Sequence, residues 1–188
     1  MRLFNLFLSV FSLIIFSCKT TNNQFSNEAS APKNVILLIG DGTGLSQISS
    51  AFFYKETPPN YGRFEHIGLI KTSSSIEDVT DSAASGTAFA SGVKTYNGAI
   101  GVNPKKKPVK TILEECEEKG MATGLVSTST IVHATPASFI AHQPSRKMYE
   151  EIAADFLKTE VDLFIGGGKK YFDRRDTDER NLYEELEA

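Results

Sequence analysis

Residues 34–40, NVILLIG, restrict the fold more than any other stretch of the chain. A continuous apolar run of strand length has no face to give to water, so it predicts a strand buried on both sides, as inside a parallel sheet. Residues 68–72, 121–127 (MATGLVS) and 161–165 (VDLFI) read as further strands. Between and beside them, residues 45–53, 82–90, 109–119 and 145–158 read as helices. Strands alternating with helices predict an α/β layered sandwich, a mostly parallel central sheet flanked by helices. Chemistry in such sheets gathers beyond the carboxyl ends of the strands. The loops after Gly40, after Ser127 and around Asp81 are therefore the places to search, while Gly166 to Gly168 fits a tight turn.

The first residues read differently. Arg2 precedes an apolar run over residues 3–16, too short to span a bilayer comfortably and shaped like a secretory signal. It ends in Ile15-Phe16-Ser17-Cys18, which resembles a bacterial lipoprotein signal with Cys18 as the lipidated residue. An ordinary cleaved signal with an incidental cysteine is the alternative. The organisation expected is thus a signal peptide over 1–17, a polar tether over 18–32 and one domain over 33–188. A multiply acylated Cys18 would anchor the chain to a membrane of the bacterial envelope, periplasmic or outer. The only other cysteine, Cys116, shares a helical face with Ile112 and Leu113 and reads as a buried thiol. A net charge of −3 offers no electrostatic reason for nucleic-acid binding, and Lys105–Lys107 between two prolines reads as a solvated loop.

Three clusters could carry chemistry. In IGDGTGLS the G-x-G-x-x-G spacing of a dinucleotide loop is absent, and Asp41 in the turn would repel a pyrophosphate. A carboxylate there either caps the following helix or faces a phosphate across a bound cation. In VTDSAASGTAFASGVKTYNGAIGVN, Ser82 falls in the first turn of a helix opened by Asp81, where free N–H groups favour an anion. Ala83, Ala84 and Gly86 leave room around it. Ser82 is either a capping serine or a nucleophile, and with few histidines present, metal activation is the better route to its alkoxide. In STSTIVHATPASFIAHQPSRK, His133 and Thr135 follow a strand and Arg146 offers a planar fork for phosphate oxygens.

Together and in this order, GDGTG, TDSAASGTAFASGVKTYNGAIGV and HATP…SRK resemble the alkaline phosphatase family. The resemblance implies hydrolysis of phosphate monoesters through a phosphoserine on Ser82, with two zinc ions and one magnesium ion in the complete enzyme. It implies that Asp41 is shared between magnesium and the second zinc, that Thr135 ligates magnesium, and that Arg146 binds phosphate while Asp81 positions it. His133 falls where family members carry either Asp or His. Imidazole suits hard magnesium poorly, so the expectation is weaker magnesium retention or zinc competition, with His133 not a direct magnesium ligand. His66 and His142 match no ligand position and read as structural histidines.

The family's remaining metal ligands come from the second half of a longer chain and have no counterpart here. The expectation is an amino-terminal fragment, its sheet incomplete on the C-terminal side and its own phosphatase activity negligible. A homodimer is the assembly considered. The competing readings are a non-catalytic envelope lipoprotein that keeps a phosphate-binding half-site, and a sulfatase or phosphodiesterase of the same broad superfamily, against which TDSAAS and SRK argue.

Overall fold

The structure is a computed structural model and describes residues 32–188; the signal, Cys18 and nearly all of the tether lie outside the described residues. The chain divides into two compact units, Met1–Leu38 and Ile39–Ala188. Of the first, residues 32–38 are described, and the side chains of Val35 to Leu38 are exposed. The helices, strands and site described below all lie in the second unit.

Local chemistry sets the helices. The first, α1 (Leu45–Tyr54), opens at Gly44, whose amide donates to the Gln47 side chain at 3.0 Å. The second, α2 (Ser82–Ser91), is capped by Asp81, which accepts from the Ala84 amide at 2.9 Å, and it stops at Gly92 in the left-handed region. One face of α2 is made of Ala83, Ala84, Gly86, Thr87 and Ala90, all buried. Small side chains there let a neighbour come close. A Cβ on Gly86 would stand 2.9 Å from Ser138 Oγ, just past α4 (Ala134–Ala137).

Helix α3 (Ile112–Glu118) begins with a reciprocal box: Thr111 Oγ1 accepts from the Glu114 amide, and Glu114 accepts from the Thr111 amide at 2.7 Å. This cap, with the Val109 amide held by the Gly101 carbonyl, explains why α3 starts later than residue 109. Helix α5 (Tyr149–Asp155) tightens into a 3-10 turn, Phe156–Lys158. Two short helices, α6 (Lys170–Asp173) and α7 (Leu182–Glu187), close the chain.

The class is α/β, as expected, but the sheet is smaller than the sequence implies. Among the described residues it has two parallel strands, β1 (Gly124–Thr130) and β2 (Leu163–Gly167). Gly124, Leu125 and Val126 stand opposite Leu163, Phe164 and Ile165, and after an irregularity Thr130 stands opposite Gly167. Parallel neighbours need a crossover, and α4 and α5 lie in it.

Both strands run two or three residues later than the hydropathy suggested. Residues 34–40 and 68–72 form no ladder at all. A strand is defined by its partner, and an apolar run signals burial without supplying the surface that buries it. Ile36 is 85% exposed and Leu69 99%. The glycine run is also partly strand: Gly166 and Gly167 belong to β2, and only Gly168 makes the turn. A Cβ on Gly166 would meet the Ile131 backbone at 3.1 Å, so that glycine serves a close approach.

The core lies between the strands and α2, α4 and α5, with Ile131, Val132, Ala137, Ile140, Ile152 and Phe156 buried. Phe156 meets Phe164 edge-on at 4.9 Å, and Phe172 extends the aromatic cluster towards α7. Cys116 is only partly buried.

Candidate active site

Three segments converge: the turn after Gly40, the N-terminus of α2, and the stretch from β1 through α4 to Arg146. Asp41 lies at the first, next to a turn closed by the Thr43 amide on the Gly40 carbonyl at 3.2 Å. Its two carboxylate oxygens are each taken by a hydroxyl. Ser82 Oγ donates to Oδ1 at 3.0 Å and Thr135 Oγ1 donates to Oδ2 at 2.7 Å. These bonds join residues 41 and 94 positions apart in sequence. The Thr135 hydroxyl holds the Asp41 carboxyl below the usual carboxylate range; partial burial opposes it, and Ser82 and the charge of Arg146 assist.

Asp81 does more than cap α2. Its Oδ1 takes the Ala84 amide, and its Oδ2 takes both the Gly98 amide at 3.0 Å and Arg146 Nη1 at 3.1 Å. Asn97 pins the same corner, accepting from the Asp81 amide at 2.9 Å and donating to the Val79 carbonyl at 3.0 Å. The Arg146 amide donates to the Gly98 carbonyl at 2.7 Å. The other end of the guanidinium, Nη2, donates to His133 Nε2 at 3.1 Å. His133 Nδ1 lies 3.9 Å from Asp41 Oδ2, beyond hydrogen-bond reach. With Arg146 about a quarter exposed, the fork still presents N–H groups to solvent.

The fold thus brings Asp41, Asp81, Ser82, His133, Thr135 and Arg146 into one site, with Ser82 at the positive end of a ten-residue helix. His66 is exposed and takes no part in it. The fixed charges are two carboxylates against one guanidinium. That balance is wrong for a phosphate unless a cation joins them. The donors available to such a cation, Asp41, Ser82 and Thr135, are all oxygens, which suits a hard ion such as magnesium. Among the described residues no group of three His, Cys, Asp or Glu stands ready to hold a metal. Zinc sites take about three protein ligands, so this donor set does not fit a zinc ion.

Sequence reasoning did not find Glu114 and His142. Glu114 reads locally as a helix cap and His142 as an isolated ring, and only the fold joins them, 2.8 Å apart beside the Arg146 segment.

The alkaline phosphatase family profile matches residues 32–185. This chain belongs to the alkaline phosphatase family. Alkaline phosphatase 4 of Bacillus subtilis is 44% identical over 185 residues, covering 87% of this chain and 40% of the relative. The alkaline phosphatase of the Antarctic bacterium TAB5 superposes with a TM-score of 0.79 at 56% identity, covering 81% of this chain and 44% of that one. A histidine-to-aspartate mutant of the TAB5 enzyme, with magnesium bound in its M3 site, superposes with a TM-score of 0.81 at 54% identity, covering 83% and 45%. The chain spans about two fifths of the length of the Bacillus subtilis relative.

Proposed function

We propose that this chain is the amino-terminal part of a metal-dependent phosphomonoesterase that passes its phosphoryl group through Ser82. The observation that carries the reading is the Ser82 hydroxyl at the head of α2, donating to Asp41 at 3.0 Å, while Asp81 presents Arg146 to the same site. Asp41 and Thr135 would hold magnesium; when bound, divalent metals supply the positive charge that stabilises a serine alkoxide and a leaving oxygen. The zinc donors of the family would have to come from further chain.

What these residues do themselves is specific. Asp41 accepts the Ser82 and Thr135 hydroxyls and orients both oxygens towards the site. Asp81 fixes the Arg146 fork through Nη1, which leaves N–H groups to grip phosphate oxygens bidentately. The first turn of α2 adds unpaired amides that favour the incoming anion. The serine oxygen bonds to phosphorus, the ester oxygen leaves, and water later cleaves the phosphoserine.

The test is acid-pH labelling with inorganic phosphate in an extended, zinc-loaded form of the chain. Label on Ser82 supports the reading. A bare serine in a form that hydrolyses an aryl phosphate would overturn the intermediate, and a bare serine without hydrolysis would favour a non-catalytic phosphate-binding lipoprotein. The 188-residue chain alone is expected to show negligible turnover.

His133 gives a second expected outcome. Its replacement by aspartate puts a hard oxygen ligand beside Asp41 and Thr135, and magnesium in the M3 site of the TAB5 mutant supports the same chemistry here. His133→Asp is expected to tighten magnesium binding at least about tenfold, no less than an outer-shell partner contributes to metal affinity. Calorimetric titration showing unchanged affinity would reject this. The same change removes the His133 acceptor of Arg146 Nη2.

The amino-terminal segment completes the proposal: lipidation at Cys18, with the domain tethered to a bacterial envelope membrane. Cells expressing the chain are expected to incorporate labelled palmitate into it, and Cys18→Ser to abolish that label. Undiminished label in the variant would remove the anchor from the reading.

A further inference from the structure

His142 lies outside the metal and phosphate cluster, and its surroundings assign it a task. The segment that carries Arg146 runs antiparallel to the loop after α2. Ile100 and Gln143 exchange backbone hydrogen bonds, the Ile100 amide to the Gln143 carbonyl at 3.0 Å and the Gln143 amide to the Ile100 carbonyl at 2.9 Å. Tyr96 donates its hydroxyl to the Pro144 carbonyl at 2.8 Å. The Arg146 amide on the Gly98 carbonyl closes the near end. Gly98 in turn donates to Asp81 Oδ2, the oxygen that holds the Arg146 guanidinium. Any slip between the two segments therefore reaches both the backbone and the fork of Arg146.

The far end is closed by His142. Its Nδ1 stands 2.6 Å from the Gly101 carbonyl oxygen and its Nε2 2.8 Å from Glu114 Oε1, one acceptor for each nitrogen. Glu114 is itself immobilised, its Oε2 taking the Thr111 amide at the head of α3. Burial pushes the Glu114 carboxyl up, but the hydrogen bonds from His142 and Thr111 outweigh it and hold the group below its usual range. The His142 amide is bound as well, donating to Asp155 Oδ2 at 2.9 Å, which also takes the Gln143 side chain at 2.8 Å.

We propose that His142, anchored by Glu114, is a positioning residue for Arg146: it locks the loop at Gly101 to the Arg146 segment and so fixes where the phosphate-gripping fork stands. The inference rests on Arg146 being that grip, and its test uses no turnover, so its outcome is separable from that of the hydrolysis reading.

The experiment measures amide exchange and the guanidinium nitrogen resonances of Arg146 by NMR in the 188-residue chain, for His142→Ala and His142→Phe. Exchange at Ile100, Gln143 and Arg146 is expected to quicken at least tenfold (on the order of 1.4 kcal/mol) in both variants, with the Arg146 guanidinium signals averaging as the fork loses its fixed place. The Ile131 amide, which donates to Gly167 next to the sheet, serves as the control and is expected to keep its protection. Should His142→Ala unfold the chain, His142→Phe decides, because it fills the place of the ring, removes both nitrogen contacts and leaves Glu114 on the Thr111 N–H. Parental exchange at the three clasp amides, unaltered Arg146 signals, or equal loss of protection at Ile131 in His142→Phe would each overturn the assignment.

Discussion

Ser82→Ala, in an extended and zinc-loaded form of the chain, is expected to lower kcat for an aryl phosphate by at least about 1000-fold while leaving the fold intact. The two halves of that expectation have separate grounds. The substitution deletes the hydroxyl oxygen proposed to take the phosphoryl group, and nucleophile deletions of this kind cost several orders of magnitude. A thousandfold loss corresponds to about 4 kcal/mol of transition-state stabilisation. Stability should hardly change. The cap of α2 is Asp81, whose bonds to Ala84 and Gly98 do not involve the serine, and alanine is a good helix former at that position. Asp41 loses one hydroxyl donor but keeps the shorter bond from Thr135. Steady-state kinetics beside a urea titration would read both halves. A variant within tenfold of the parent in kcat would show that the serine is not the phosphoryl acceptor.

Gly101→Ala is expected to cost about 3 kcal/mol or more of folding stability, among the largest effects for a single methyl group in this chain. Gly101 sits at φ 56°, where an L side chain is strained by about 1–2 kcal/mol. Space is the larger problem. A Cβ there would overlap the Ala141 carbonyl oxygen and stand 2.8 Å from His142 Nδ1. Relief requires the Ala141–His142 backbone to move, and that backbone is held by the Ile100–Gln143 pair and by Asp155. Gly120 supplies the comparison, since at φ 69° it has nothing within 4 Å of an added Cβ. Gly120→Ala should therefore cost only the backbone term, and the difference between the two urea midpoints isolates the overlap. Equal midpoints would show that the clasp yields freely, and would weaken the case for a rigid seat under Arg146.

Short-range chemistry was legible along the chain. Asp81 before a run of small residues announced both the cap and the helix, and α2 begins at Ser82 as expected. The same holds for α1, where hydropathy and glycine punctuation gave bounds within a residue. Boundaries slipped where a cap or a partner decides them: α3 waits for Thr111, and the helix expected from residue 145 starts at Tyr149 because Arg146 is drawn to Gly98. The apolar run at 34–40 was misread in a more instructive way. Its composition calls for burial without supplying the partner, and the described residues do not pair it.

The amino-acid order by itself determined the parts: a capped small-residue helix with a serine at its head, an aspartate in a glycine turn, an arginine fork, and an alternation of elements that yields an α/β fold. Those depend on contacts within a few residues, which the chain carries wherever it goes. Only the tertiary structure decided that Asp41 would share its two oxygens between Ser82 and Thr135, that Asp81 would hold Arg146, and that Glu114 and His142 would meet beside it. Such pairings join residues tens of positions apart, and backbone closure and packing select them; no local propensity encodes them.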